Sequence, residues 1–138
     1  MKLEHAAIWT EDLETMKDFY VRYFGGKSGR KYCNETKQYE SYFVAFEQGA
    51  RLELMKKAGI PENRNDSTGS QHRGLIHLAF EAATKQEVDE KAGWFASEGI
   101  KIIEGPRTTG DCYYEFVILD PENNRIEVTT RDSNHPNH

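Results

Sequence analysis

Residues 3–10 read Leu3-Glu4-His5-Ala6-Ala7-Ile8-Trp9-Thr10, and residues 74–81 read Gly74-Leu75-Ile76-His77-Leu78-Ala79-Phe80-Glu81. Each is a strand-like run followed at once by a helical pattern, and the second run repeats the first. After the first run, Leu13, Met16, Phe19, Tyr20, Tyr23 and Phe24 fall at the steps of one buried helix face. Asp12 is placed to cap that helix, and Gly25-Gly26 to stop it in a left-handed turn. Short strands are predicted at about 28–33, 39–47 and 50–56. After the second run, Thr84 and Glu87 form a capping box, Val88, Ala92 and Phe95 form the apolar stripe, and Gly99 ends the helix. Strands are then predicted at about 100–104, 112–119 and 124–130, the last two joined by the turn Asp120-Pro121-Glu122-Asn123-Asn124. Each half therefore reads β-α-β-β-β. The chain is predicted to be a single α+β domain of two modules, 1–57 and 74–131, joined by a polar linker at 58–73.

The repeat carries chemistry. Superposing the halves places His5 on His77, 72 residues apart, and Glu53 on Glu127, 74 apart. Strand alternation sets His5 opposite Ala6 and Ile8, Glu53 opposite Leu52 and Leu54, His77 opposite Ile76 and Leu78, and Glu127 opposite Ile126 and Val128. All four polar residues thus share the face away from the aliphatic pairs that helices would cover. If both sheets curl that face inward, two imidazoles and two carboxylates converge. Such a mixed N/O set suits one borderline divalent ion per site: Zn²⁺, Ni²⁺, Co²⁺ or Mn²⁺. Taken singly, a strand His or Glu is more often a solvated surface residue; four in register across a repeat are not explained that way.

Other chemistry-bearing residues stand outside any such pattern. His72, His135 and His138 fall in the linker and the Asn/His/Pro tail. Cys33 and Cys112 form no C-x-x-C, and Ser41, Ser67 and Ser70 have no nucleophile-elbow context. The 138 residues give a net charge of −5 and the mean hydropathy is −0.80. An acidic balance with no basic stripe argues against nucleic acid. The longest apolar run, Tyr42 to Phe46, is five residues, against the roughly 20 that span a bilayer. No apolar stretch of signal-peptide type follows Met1-Lys2-Leu3-Glu4-His5, so a cytoplasmic location with reduced thiols and no membrane partner is expected.

Several motifs together resemble the vicinal oxygen chelate superfamily: His5-x-Ala7-Ile8, Asp12-Leu13, Phe19-Tyr20, Leu52-Glu53-Leu54, Gly74-Leu75-x-His77-Leu78-Ala79-Phe80, and Asp120-Pro121 through Ile126-Glu127. The group includes glyoxalase I, methylmalonyl-CoA epimerase, extradiol dioxygenases, fosfomycin resistance transferases and metal-free bleomycin resistance proteins. The resemblance implies paired βαβββ modules whose mixed sheets form a curved cup around a metal, often completed in a homodimer. The ligand pattern His5, Glu53, His77, Glu127 is similar to that of bacterial-type glyoxalase I. It implies a lyase or isomerase that chelates a small α-oxygenated substrate on one divalent metal and moves a proton through an enediolate, with Glu127 as base and Glu53 as its partner. Where that type has an arginine for the glutathione carboxylate this chain has Trp9, and where it has an asparagine, Lys57. A substrate other than a glutathione adduct is therefore expected. The cup wall is predicted to include Trp9 and, by alternation across the 112–130 hairpin, Tyr114, Phe116 and Ile118. The rival readings are another enzyme of the superfamily, such as an epimerase, thiol transferase or dioxygenase, or a non-catalytic small-molecule binding or resistance protein. A fourth ligand disfavours the dioxygenase, and a retained His/Glu quartet disfavours the pure binder.

Overall fold

Caps and periodicity act as the sequence predicts in the computed structural model, which describes residues 1–63 and 69–132. Residues 64–68 of the predicted linker and the tail 133–138, with His135 and His138, lie outside the described residues. The chain divides into two compact units, Met1–Asn63 and Arg64–His138. The unit boundary falls inside the stretch predicted as linker.

In the first unit, strand β1 (His5–Trp9) leads to helix α1 (Leu13–Phe24). Asp12 accepts from the Thr15 backbone N–H at 3.0 Å and from its hydroxyl at 2.8 Å. Gly25 closes α1 in the left-handed region, at φ 65°. There follow β2 (Lys27–Ser28), β3 (Tyr32–Asn34), β4 (Tyr39–Ala45) and β5 (Arg51–Lys57). The sheet order is β1-β5-β4-β2, with β3 also on β4; β1 runs parallel to β5 and the other pairs are antiparallel. The single strand predicted at 28–33 is thus two short ladders on β4, broken at Gly29-Arg30-Lys31. Leu13, Met16, Phe19 and Tyr20 of α1 are buried with Val44, Leu52 and Leu54 of the sheet. Gly26 permits that packing: a Cβ there would stand 2.4 Å from Val44 Cγ1.

The second unit repeats the scheme with β6 (His77–Glu81), α2 (Lys85–Ser97), β7 (Glu104–Thr108), β8 (Tyr113–Leu119) and β9 (Arg125–Arg131). Its sheet order is β6-β9-β8-β7, with β6 parallel to β9 and the rest antiparallel. Thr84 accepts from the Glu87 N–H at 3.1 Å; Glu87 in return accepts from the N–H of Ala83, one residue before the cap, at 2.8 Å. Val88, Ala92 and Phe95 of α2 are buried with Phe116, Ile118, Ile126 and Val128. The strand predicted at 100–104 begins instead at Glu104. The Ile100 N–H is still closing α2, on the Phe95 carbonyl at 2.9 Å, and a register shift intervenes between Glu104 and Arg107. Among the described residues, no helix is long and apolar enough to cross a membrane.

Candidate metal centre

The parallel pairing of first and last strands builds the same small arrangement in each unit. His5 lies opposite Arg51, Ala7 opposite Glu53, and Trp9 opposite Met55. His77 lies opposite Arg125, Ala79 opposite Glu127, and Glu81 opposite Thr129. The glutamate thus faces an alanine, whose short side chain leaves it room to lean toward the histidine two residues earlier on the neighbouring strand. His5 Nε2 is 3.6 Å from Glu53 Oε2, and His77 Nε2 is 3.3 Å from Glu127 Oε2. Exposure repeats as well: 39% and 38% for the imidazoles, 15% for each carboxylate. In both units the ring is open to a ligand while the carboxylate is largely covered.

These pairs have the chemistry and the spacing of metal donors. Imidazole nitrogen and carboxylate oxygen each bind zinc-like ions at about 2.0–2.2 Å, so two such donors side by side on one ion stand roughly 3.0–3.5 Å apart. The second pair fits that range and the first lies just beyond it. Among the described residues, no three His, Cys, Asp or Glu side chains are gathered as a metal-holding group. The structure therefore brings the four predicted ligands together as two pairs, one per unit.

Surroundings distinguish the pairs. In the first unit, His5 Nδ1 bonds the Glu4 carboxylate, whose other oxygen accepts from Arg51 Nε at 2.7 Å. The Arg51 guanidinium lies 4.1 Å over the Phe43 ring, and His5 meets the same ring edge-on at 5.3 Å. The Tyr39 hydroxyl donates to Glu53 Oε1 at 2.8 Å. Burial, aided by that carboxylate, pushes the Tyr39 phenol up. Trp9 is 42% exposed on the same face and stands edge-on to Tyr39 at 6.1 Å. In the second unit, burial and then the charge of Glu115 push the Glu127 carboxyl above the usual range, against the opposing pull of His77 and Arg125. Arg125 donates to Glu104 at 2.6 Å, and Arg107 to the same carboxylate at 2.7 Å. The two arginines hold the Glu104 carboxyl below the usual range.

Three predicted wall residues, Tyr114, Phe116 and Ile118, face away from this centre. Phe116 pairs across from Val128 and Ile118 from Ile126, so both share the helix-covered side, whereas Val117 pairs across from Glu127. Phe116 is fully buried and stands edge-on to Phe95 of α2 at 5.8 Å. Tyr114, on the same side, donates its hydroxyl to Asp89 of α2 at 2.7 Å. Alternation along 113–119 is correct in period but assigned to the wrong face, because the register with β9 decides it. Glu4, Tyr39 and the arginines Arg51 and Arg125 are the residues sequence reading missed. For the arginines a signal existed: both glutamates sit in Arg-x-Glu, which the repeat duplicates.

Two modules, each with its first strand parallel to its last in a mixed sheet beneath one helix, constitute the vicinal oxygen chelate fold. The sequence profile of the Glyoxalase/Bleomycin resistance protein/Dioxygenase superfamily matches residues 2–128, and the chain belongs to that superfamily. Solved structures share the fold. Leishmania major glyoxalase I, described as trypanothione-dependent, is 20% identical over 94% of this chain and 86% of its own, with a TM-score of 0.75. The lactoylglutathione lyase of Agrobacterium tumefaciens is 24% identical over 93% of this chain and 92% of its own, at 0.68. A glyoxalase family protein of Enterococcus faecalis is 22% identical over 93% and 96%, at 0.75. No curated protein matches the chain significantly in sequence.

Proposed function

We propose that the chain is a glyoxalase I-like, metal-dependent lyase or isomerase acting on a small substrate with two adjacent oxygens. The observation that carries this reading is the duplicated His–Glu pair, with donor atoms 3.6 and 3.3 Å apart in the two units. His5, Glu53, His77 and Glu127 would hold one divalent ion of the Zn²⁺, Ni²⁺, Co²⁺ or Mn²⁺ group. When bound, the ion supplies Lewis acidity to the substrate oxygens. The protein's own residues move the proton. Glu127 is the base: partial burial and Glu115 raise its basicity, bringing it nearer to working pH than an ordinary carboxylate. It takes the proton from the carbon beside the carbonyl at its carboxylate and gives it back at the adjoining carbon. Glu53 is the second carboxylate of the set, and Trp9 supplies an apolar wall beside it. The working unit is a homodimer.

The test is elemental analysis of protein purified without chelator or affinity metal, followed by two kinds of variant. One ion per chain is expected, and His5→Ala and His77→Ala should each abolish stoichiometric metal. Full occupancy in both would place the ion elsewhere. Glu127→Gln keeps an oxygen able to coordinate but lacks a carboxylate's basicity. It should retain metal while turnover of an α-oxo hemithioacetal falls by about 10² or more. Unchanged turnover would remove Glu127 as the base.

A further inference from the structure

Although the repeat makes the two His–Glu pairs equivalent in register, their outer contacts are not. His5 Nδ1 is engaged by Glu4, and Glu4 is itself fixed by Arg51 Nε at 2.7 Å. With Nδ1 donating to that carboxylate, the ring is held in the tautomer whose Nε2 carries a lone pair, and Nε2 is the atom turned toward Glu53. Tyr39 donates to Glu53 Oε1 at 2.8 Å, while Oε2 is the oxygen that faces His5. Both donor atoms of the first pair are therefore oriented by hydrogen bonds made to the other atom of the same group. The second pair has neither device. The residue before His77 is Ile76, which offers no carboxylate. Tyr113, across from Arg131 as Tyr39 is across from Lys57, makes no hydroxyl bond to Glu127 among the described residues.

We infer that Glu4 and Tyr39 are positioning residues that preset His5 and Glu53 as the anchoring half of the metal site, leaving His77 and Glu127 as its adjustable half. The inference rests on the metal reading above. It assigns the two halves different work: the first fixes the ion, and the second, held by fewer bonds, retains the freedom a proton-moving carboxylate needs. A hydrogen-bonded partner of a ligating group is worth on the order of 10–100-fold in metal affinity.

Two measurements test it. Imidazole ¹⁵N shifts of the ion-free protein at pH 8 should show His5 protonated on Nδ1 with a bare Nε2, and His77 as a mixture of tautomers. Glu4→Ala should turn His5 into a mixture, and Glu4→Gln, whose amide oxygen still accepts from Nδ1, should restore most of the preference. Zn²⁺ affinity, read by competition with a chromophoric chelator, should fall roughly 10–100-fold in Glu4→Ala and in Tyr39→Phe, and stay within about twofold in Tyr113→Phe. Wild-type affinity in Glu4→Ala and Tyr39→Phe, or the same tautomer mixture at both histidines, would overturn the inference. Zn²⁺ binding by wild type with unaffected variants sinks the positioning roles alone. Absence of Zn²⁺ binding by wild type sinks the metal reading, and the ¹⁵N shifts still decide whether Glu4 orients His5. Tyr39→Phe removes a single oxygen, so its melting temperature separates a lost contact from a lost fold.

Discussion

Glu53 and Glu127 occupy the same register position in their modules, with 15% exposure each, and at Glu127 burial and the nearby Glu115 charge raise the proton affinity. The folded protein thus holds the Glu127 proton more tightly than the unfolded chain, where a carboxyl keeps its ordinary value of 4.5. Below that value the carboxyl is protonated in both states and costs nothing. As pH rises through 4.5 toward the raised value, the unfolded chain releases the proton first and the folded state loses stability. Glu127→Gln should therefore raise the melting temperature of ion-free protein by a few degrees at about pH 8, with the gain gone by about pH 3.5. An equal gain at both ends would trace to shape instead of ionisation. The four candidate ligands were legible because each interrupts an aliphatic alternation at a repeated position. Glu4 and Tyr39 were not, since they act through side-chain bonds that no periodicity encodes. Tyr39 reaches Glu53 although its own cross-strand neighbour is Lys57.

At the level of elements, helix starts and stops were readable because Asp12, Thr84 and Gly25 act locally, within one turn of chain. Strand faces in the second half were harder. Tyr113 to Leu119 is apolar at six of seven positions, so composition gives no inside and outside, and pairing with β9 decides. Close approaches were also hidden. Gly105 has φ +80°, and a Cβ there would stand 2.4 Å from the Glu115 carbonyl oxygen; Gly26 is crowded by Val44 at the same distance. Gly26→Ala should destabilise the first module by about 1–3 kcal/mol through overpacking. Gly105→Ala should cost at least as much, because backbone, which yields less than a side chain, is what it meets. Gly25→Ala would strain only the dihedral, with open space around it. Denaturant midpoints of the three variants give the ranking, and a Gly26→Ala protein as stable as Gly25→Ala would contradict it. Thr84→Ala, which loses the bond from the Glu87 N–H, should cost about 1 kcal/mol in the same assay.

On the scale of the whole molecule, the superfamily and the two-module architecture were legible from the duplicated pattern, which carries no information about the substrate. Trp9 stands where a glutathione-holding arginine is expected, so turnover of the methylglyoxal–glutathione adduct should be weak and another chelating α-oxygenated substrate preferred. A kcat/KM for that adduct within about 10⁴–10⁸ M⁻¹s⁻¹ would refute this. Light scattering should give twice the 15.9 kDa chain mass for the proposed dimer, and a monomer would refute it. A last consequence follows from where the donors sit along the chain. His5 and Glu53 lie on the first and last strands of one module, 48 residues apart, and His77 and Glu127 on those of the other, 50 apart. An ion held by both members of a pair turns that module into a ring. Closing a loop of this length in an unfolded chain costs about 4 kcal/mol of chain entropy. In the folded module, parallel strand pairing has already brought the ends together. On the proposed metal reading, the same two side chains would grip an ion far better in the folded protein than in the denatured chain, and a bound ion would work as a reversible cross-link that keeps each module from unravelling at its ends.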